Sequence, residues 1–494
     1  MSYYAAIDLG AESGRVIRGA IRNGKLTIEE VHRFPNTPVP VQGTTHWNVL
    51  GLLREIRAGL RRCSSQEGED PAGIGIDTWG VDFGLIDDNG NLLTNPVHYR
   101  DGRTEGMIDL ACSILPREEI YRITGTAFQP FNTLYQLLAL HRSDPPWLRD
   151  ARTLLFMPDL LSYFLCGSKG AEYTIASTAQ LLDARTRNWS DELCQKLKIR
   201  RKLLPDIVEP GTVIGRLTEE NQRECNMGPA SVVAPASHDT GSAFAAVPAS
   251  SELWAALSCG TWSVMGTELS EPQTDAATLA HNFANEGSVE GKVRLIKNIM
   301  GLWVLQECRR TWAREGQQLD YATLTGEANA TGPFPFILDI DDNSFYAPEN
   351  MLEAIRDFCD RTGQKMPDDR GEIVRAINEG IALRYRAVLN ELEQITGKTM
   401  PVIHMVGGGT QNELLCQMAA NATGRPVIAG PVEATAIGNL VMQAVATGEL
   451  GSVAEARELI RNSTELKNYE PTDTSSWDDA FGRYTNLTGN SQSK

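Results

Sequence analysis

Four short segments of this chain combine reactive residue types with glycines that let a backbone turn tightly. In residues 236–243, ASHDTGSA, Asp239 stands among small residues. A carboxylate so placed can accept the proton of a substrate hydroxyl during phosphoryl transfer; the same pattern also describes an Asx turn or a helix N-cap. His238 beside it reads as a hydrogen-bonding or packing histidine rather than as the base. In residues 8–15, DLGAESGR, a turn through Gly10, Ala11, Glu12, Ser13 and Gly14 offers successive backbone N–H groups, with the Ser13 hydroxyl and the Arg15 side chain alongside. Such a nest binds an anion, and Asp8 before it can hold Mg²⁺ directly or through water; an ordinary tight hairpin is the alternative. Residues 258–263, SCGTWS, repeat the turn with a hydroxyl at Thr261, and residues 407–412, GGGTQN, give a strand-to-helix turn whose bare backbone suits a flat ligand. One such turn in the first half and two in the second fit a nucleotide clamped between domains.

Several familiar sites are absent or weak. Gly397-Lys398-Thr399 imitates the end of a P-loop, but the glycine which that motif needs five positions earlier is Leu392, so the segment reads as a helix stop. None of the glycine turns fits G-x-G-x-x-G, which leaves a Rossmann dinucleotide site unsupported. Asp77 and Asp82 in GIDTWGVDF are spaced for a paired-carboxylate glycosidase, with no further feature in its favour. Trp79 between them is read as a sugar platform or as core. The seven histidines show no metal-ligand pair at helical spacing.

The elements that must position these residues are legible in outline. Residues 3–7, 15–21 and 26–34 alternate as strands, the last two joined by Asn23-Gly24, a strong hairpin signal. A helix follows from Val49, then a strand pair through residues 73–86 with a second turn at Asn89-Gly90. The second half opens similarly, with strand, CGT turn and strand through residues 254–266, which suggests two related domains. From Ile381 the apolar positions Tyr385, Val388, Leu392 and Ile395 mark one face of a helix that Gly397 stops. A strand through residues 401–406, a helix over 412–423 and a helix from Glu433 complete an α/β wall. The Ala/Ser/Pro-rich stretch 242–250 marks a boundary, giving domains at 1–245 and 246–480 and a polar, frayed tail at 481–494.

Composition narrows the function classes. With 494 residues, 41% hydrophobic and 22% charged, the chain is an ordinary globular protein of more than one domain. Its net charge of −17 argues against a general nucleic-acid partner, since such binding depends on Lys and Arg meeting phosphates. Any anionic ligand must then be met locally. The nine cysteines contain no close pair, which excludes a C-x-x-C zinc or redox site and suits a reducing compartment. The first residues carry no basic segment leading into an apolar core, and the most apolar stretch, from Leu154, contains Pro158 and Asp159. The expectation is a cytoplasmic protein without a membrane partner, monomer or homodimer.

DLGAESGR, GIDTWGVDF, HYRDGRT, FNTLYQL, EYTIAST, ASHDTGSA, LSCGTWSVMG, LIKNIMGLWVLQE, VGGGTQN and AGPVEATAIGN, in this order, resemble the FGGY carbohydrate kinases over nearly the whole chain. That resemblance implies an α/β protein of two actin-like (ribonuclease H-like) ATPase domains with MgATP and sugar in an interdomain cleft. It implies ATP contacts at Ala11, Glu12, Ser13, Gly14, Arg15, Thr261, Gln306 and Gly408, with Mg²⁺ near Asp8. It implies sugar contacts at Gly80, His238, Asp239, Thr240 and Asn298, with Asp239 as the proton acceptor. DTWGVDF and LIKNIMGLW favour the branch that moves the γ-phosphoryl of ATP to the C1 hydroxyl of L-rhamnulose, ahead of L-fuculose, L-ribulose or D-xylulose, and ahead of a non-catalytic sensor on the same fold. Glu12, Gly241 and Cys259 depart from the family pattern; a carboxylate at Glu12 repels a triphosphate unless it points away or meets the metal.

Overall fold

The computed structural model describes residues 3–67 and 70–491. The chain forms two compact units, each assembled from separated stretches of sequence. Unit 1 takes residues 1–250, 268–296 and 434–464; unit 2 takes 251–267, 297–433 and 465–494. This packing differs from the contiguous division at residue 245 in that residues 268–296 and 434–464 pack with the first unit.

Unit 1 is built on a six-stranded sheet. Its strands are β1 (Tyr3–Leu9), β2 (Ser13–Arg22), β3 (Lys25–Pro35), β4 (Gly73–Thr78), β5 (Thr212–Arg216) and β6 (Ser231–Ala234), in the order β5-β6-β4-β1-β2-β3. β1, β2 and β3 are the expected antiparallel meander, turned at Asn23 and Gly24, both with φ > 0 as a type I′ turn demands. β6, β4 and β1 run parallel, and β4 is buried along its length. The strand after it, Phe83–Ile86, pairs with Thr153–Phe156 rather than folding back on β4, so the two segments expected as a strand pair separate at Trp79–Asp82. Within unit 1 the helix Ala434–Ala446 lies across β1 and β4. Gly73 and Gly75 make room for it: a Cβ on Gly75 would sit 2.4 Å from Asn439 Oδ1, and one on Gly73 2.8 Å from Gln443 Oε1. The same helix meets the helix Asp239–Ala245 so closely that a Cβ on Gly438 would stand 1.8 Å from the Ser242 carbonyl oxygen.

Unit 2 repeats the opening of unit 1. β7 (Ala255–Cys259) and β8, which begins at Trp262, form an antiparallel pair; β7 also runs parallel to β9 (Ile403–Val406), followed by β10 (Val427–Ala429) and β11 (Lys467–Tyr469). Hairpin plus parallel neighbour thus recurs in both units, as β2-β1-β4 and as β8-β7-β9. The helix Arg370–Thr396 carries the apolar stripe expected from Ile381 and ends on Gly397 in the left-handed conformation. The expected frayed tail is a helix instead, Ser475–Ser491, because Trp477, Ala480 and Tyr484 fall on one face and are buried. Its polar, glycine-containing sequence hides that stripe. Residues 492–494 lie outside the described residues. Among the described residues no helix is long and apolar enough to cross a membrane.

Candidate active site

In unit 1 the chemically interesting residues lie at the carboxyl ends of three adjacent parallel strands, where α/β sheets place their ligands. Asp8 is the second-last residue of β1. Asp77 is its register partner on β4, and Thr78 at the end of β4 bridges to His238 just past β6. Thr78 N–H donates to Ser237 C=O at 2.9 Å. Strand order thus brings DLGAESGR, GIDTWG and ASHDTGSA together, though 230 residues of sequence separate the first from the last.

Asp239 is the first residue of the helix Asp239–Ala245, with its side chain 32% exposed. Its Oδ1 accepts from the Thr240 N–H at 2.6 Å and the Thr240 hydroxyl at 3.1 Å, and lies 3.4 Å from His238 Nε2. Thr240 and His238 therefore fix one carboxylate oxygen, Oδ1. The segment EYTIAST braces this loop. Glu172 is fully buried and its carboxylate accepts from Thr174 N–H, the Thr174 hydroxyl, Ile175 N–H and Ser237 N–H at 2.6–3.1 Å. Burial pushes Glu172 up to about 7, and those four donors oppose the rise by favouring the anion. The Thr174 hydroxyl in turn accepts from His238 N–H at 3.0 Å.

Gly80 lies in the loop after β4. A Cβ there would stand 3.2 Å from Thr178 Cγ2, so Thr178 closes one side of the glycine. Val81 follows with φ +67°, a left-handed conformation that costs a β-branched residue on the order of 1–3 kcal/mol. It is held by Thr178 Oγ1 accepting from its N–H, and by the Thr133 hydroxyl donating to its C=O at 2.7 Å. Asp82 anchors the loop: buried, it accepts from the Trp47 and Trp79 indole N–H groups at 2.6 and 3.0 Å, from Tyr99 N–H and from Gln136 Nε2. Burial lifts it to about 6 against the bonds from Trp47, Gln136 and Trp79 and the charge of Arg103. HYRDGRT and FNTLYQL thus supply Tyr99 and Gln136 to this carboxylate. Asp77 and Asp82 are not an acid/base pair, and Trp79 is only 7% exposed, with its ring centroid 4.1 Å from that of Trp47. It packs the loop rather than offering an open platform.

Asp77 is completely buried. Asn439 Nδ2 donates to its Oδ2 at 2.5 Å, while Oδ1 has no hydrogen-bond partner among the described residues. Burial, and after it the charge on Asp8, hold Asp77 well above the usual carboxylate range. Asp8 pairs with the Arg15 guanidinium. The turn between them is closed by Gly10 N–H donating to Ser13 C=O at 2.9 Å and by Asn36 Nδ2 donating to Gly10 C=O. Ala11 and Ser13 are partly exposed there and Glu12 is exposed. Gly14 is required by packing, since a Cβ would meet the Phe34 ring at 2.4 Å.

In unit 2 three further expected residues converge. The turn at Gly260-Thr261 is tied to the start of the helix Trp303–Arg314: Leu302 N–H donates to Gly260 C=O and Trp303 N–H to Thr261 C=O. Gln306, partly exposed, lies in the first turn of that helix. Gly407 and Gly409 pack on Cys259, where a Cβ on Gly409 would stand 2.2 Å from its Sγ. Between them Gly408 is exposed, with nothing within 4 Å of where a Cβ would be. Asn298, also in unit 2, is exposed.

The residues of unit 1 that sequence reasoning missed are the buried ones: Glu172, Asn439, Glu286 and Arg294. EYTIAST and AGPVEATAIGN carry the first two as part of longer motifs. Glu286 and Arg294 had a signal in the hairpin turn at Glu290-Gly291, both with φ > 0, which places them opposite each other.

Residues 3–246 match the model of the N-terminal domain of the FGGY family of carbohydrate kinases, and residues 255–447 that of its C-terminal domain. The chain belongs to the FGGY family of carbohydrate kinases. Among its relatives is a protein named rhamnulokinase from Bacteroides thetaiotaomicron, 46% identical over 483 residues, 98% of this chain and 99% of the relative. A rhamnulokinase from Bacillus subtilis is 38% identical over 472 residues, 95% of this chain and 96% of its own. The solved structure of xylulose kinase from Lactobacillus acidophilus matches with a TM-score of 0.83 at 18% identity, covering 99% of this chain and 98% of that one. Glycerol kinase from Plasmodium falciparum gives 0.80 at 16% identity, over 100% and 98%. The fold of this FGGY kinase is the two-domain, actin-like α/β fold expected from the motifs.

Proposed function

We propose that this FGGY kinase transfers the γ-phosphoryl group of ATP to the C1 hydroxyl of L-rhamnulose, with Asp239 accepting the hydroxyl proton. The substrate reading rests on near-full-length similarity to several proteins named rhamnulokinase, at 38–46% identity. The observation that carries the chemistry is Asp239: one oxygen is held by Thr240, and the carboxylate stands just past the end of β6, where Thr78 at the end of β4 bridges to His238. Phosphoryl transfer asks the protein mainly to position groups and meet charge. Gly80, His238, Thr240 and Asn298 are assigned to the ketose. Ala11, Glu12, Ser13, Gly14 and Arg15 are assigned to the phosphates, and Thr261, Gln306 and Gly408 to the nucleotide. For Glu12 this means its backbone, since its side chain is exposed.

Mg²⁺ fits Asp8. Its carboxylate lies beside a second one, Asp77, that is forced towards its protonated form partly by the Asp8 charge, so a cation at Asp8 is electrostatically favoured. When bound, the ion would neutralise phosphate charge. The partners are then ATP and a small ketose in the cytoplasm. A coupled ADP-release assay over L-rhamnulose, L-fuculose, L-ribulose and D-xylulose tests the reading. The highest kcat/KM is expected with L-rhamnulose; a tenfold preference for another ketose would overturn the substrate, and sugar binding without sugar-dependent ADP release would overturn catalysis.

A further inference from the structure

Behind His238 lies a buried charge pair to which the chemistry above gives no role. Glu286 and Arg294 are directly opposed on the antiparallel strands Ala284–Gly287 and Val293–Met300. The Arg294 side chain is 0% exposed and Glu286 and His238 are nearly buried. Arg294 Nε donates to Gly287 C=O at 2.8 Å, and Nη2 lies 3.1 Å from Glu286 Oε2. The guanidinium sits 5.6 Å from the Phe244 ring centroid on the helix that begins with Asp239. Its Nη1 is buried with no hydrogen-bond partner among the described residues.

A buried, incompletely satisfied ion pair is a poor way to stabilise a fold, since desolvation offsets most of the attraction. Its placement suggests what it does instead. His238 Nδ1 lies 3.0 Å from Glu286 Oε2 and 3.3 Å from Arg294 Nη2, while Nε2 faces Asp239 Oδ1 at 3.4 Å. A bare Nε2 lone pair facing an ionised carboxylate is unfavourable, so Nε2 carries hydrogen whenever Asp239 is ionised. Nδ1 then has two states available without moving the ring. Unprotonated, it accepts from Arg294; protonated, it donates to Glu286. Glu286 is held below the usual carboxylate range by His238 and Arg294 despite its burial, so an anion is in place for the second state.

We propose that Glu286 and Arg294 are positioning residues, which hold the His238 ring between two carboxylates and so set the proton affinity of Asp239 towards the substrate hydroxyl. The proposal rests on the assignment of Asp239 as proton acceptor. The charged groups around the ring are Asp239 on its own segment, Glu286 and Arg294 on the hairpin, and, acting on Arg294 from further off, Glu172 and Glu268. Loss of Glu286 removes the anion that favours the imidazolium. A neutral His238 supports the Asp239 anion less, and Asp239 then takes up its proton at higher pH.

The test follows the ring itself. Protein labelled with ¹⁵N-histidine is titrated by NMR without substrates, with the His238 signals identified by their loss in His238→Asn. Glu286→Gln is expected to lower the His238 titration midpoint by about one pH unit (a tenfold change in proton affinity). On the ketose that supports turnover, the same variant is expected to move the acidic limb of kcat/KM upwards by a similar amount, with the kcat plateau above that limb not reduced. An unchanged His238 titration in the folded variant would overturn the positioning role. If no ketose is phosphorylated even by the wild type, the functional reading fails while the NMR arm still decides this one. Should Glu286→Gln alone not fold, Glu286→Gln combined with Arg294→Met removes both charges. That double variant is expected to melt near the wild type while the His238 ¹⁵N shifts change, because Nδ1 has lost both of its partners; unchanged His238 ¹⁵N shifts would show that the pair does not position the ring.

Discussion

Asp239→Asn isolates the proton transfer from everything else that residue does. The amide oxygen of Asn can still accept from the Thr240 N–H and hydroxyl, which hold Oδ1 at 2.6 and 3.1 Å, so the side chain keeps its place. The NH₂ replaces Oδ2, the oxygen left for the substrate, and a donor there cannot take a proton. General-base assistance of this kind contributes roughly 10²- to 10⁴-fold, or about 3–5.5 kcal/mol at about 1.4 kcal/mol per tenfold. Steady-state kinetics should therefore show kcat down by that factor, with KM for both substrates changed less than about fivefold and an unaltered melting curve. Asp239→Ala supplies the contrast. It removes the acceptor of two hydrogen bonds, each worth about 0.5–1.5 kcal/mol, and so should lose the same activity and some stability as well. If Asp239→Asn retained kcat within threefold, Asp239 would not be the base, and its link to Thr240 would be a local bond at the helix start without catalytic meaning.

Gly408→Ala places a methyl in open space, so its melting temperature should stay within about 2 °C of the wild type; if the backbone there meets the nucleotide, KM for ATP should rise on the order of tenfold, about 1.4 kcal/mol, with the sugar KM unchanged. Gly438→Ala sets a methyl 1.8 Å from the Ser242 carbonyl and must push two helices of unit 1 apart, including the one that begins with Asp239. A loss of about 3 kcal/mol or more is expected, seen as poor soluble yield or a lowered melting temperature; a wild-type melt would contradict the packing. Burial makes Asp82 hold its proton up to about 6 in the folded chain, above the ordinary carboxylate value of about 4, so its share of stability is fully present below about pH 4 and is lost as pH rises towards 6. Melting temperatures measured over that range should show a downward slope in the wild type that is weaker in Asp82→Asn; equal slopes would refute it.

The local chemistry of this protein was determined by its sequence. Asn23-Gly24 specifies its hairpin because both positions need φ > 0, Gly397 stops its helix for the same reason, and the short glycine turns with their Asp, Ser and Thr residues are read directly. Motif order carried the family. What the sequence left open depends on contacts between distant segments. Where Asp239 stands depends on β4 and β6 lying side by side, with Thr78 bridging to His238, the residue that takes the N-cap position expected of Asp239. Asp77 and Asp82 look alike in GIDTWGVDF, yet one faces Asn439, 362 residues away, and the other gathers two indoles, a backbone amide and a glutamine. The division into units was hidden for the same reason: residues 434–464 join the first unit because Asn439 and Gln443 fit over Gly73 and Gly75, and residues 268–296 because Asn285 Nδ2 donates to Gly125 C=O and Gly287 N–H to the Ser177 hydroxyl, a complementarity no single stretch displays. The helix Ser475–Ser491 was masked by its polar composition, because only the core it meets distinguishes three buried side chains from a frayed end. Residue type and spacing decided which groups are reactive; tertiary burial and pairing decided which of them hold a charge, which hold a neighbour, and which one is left open to a substrate.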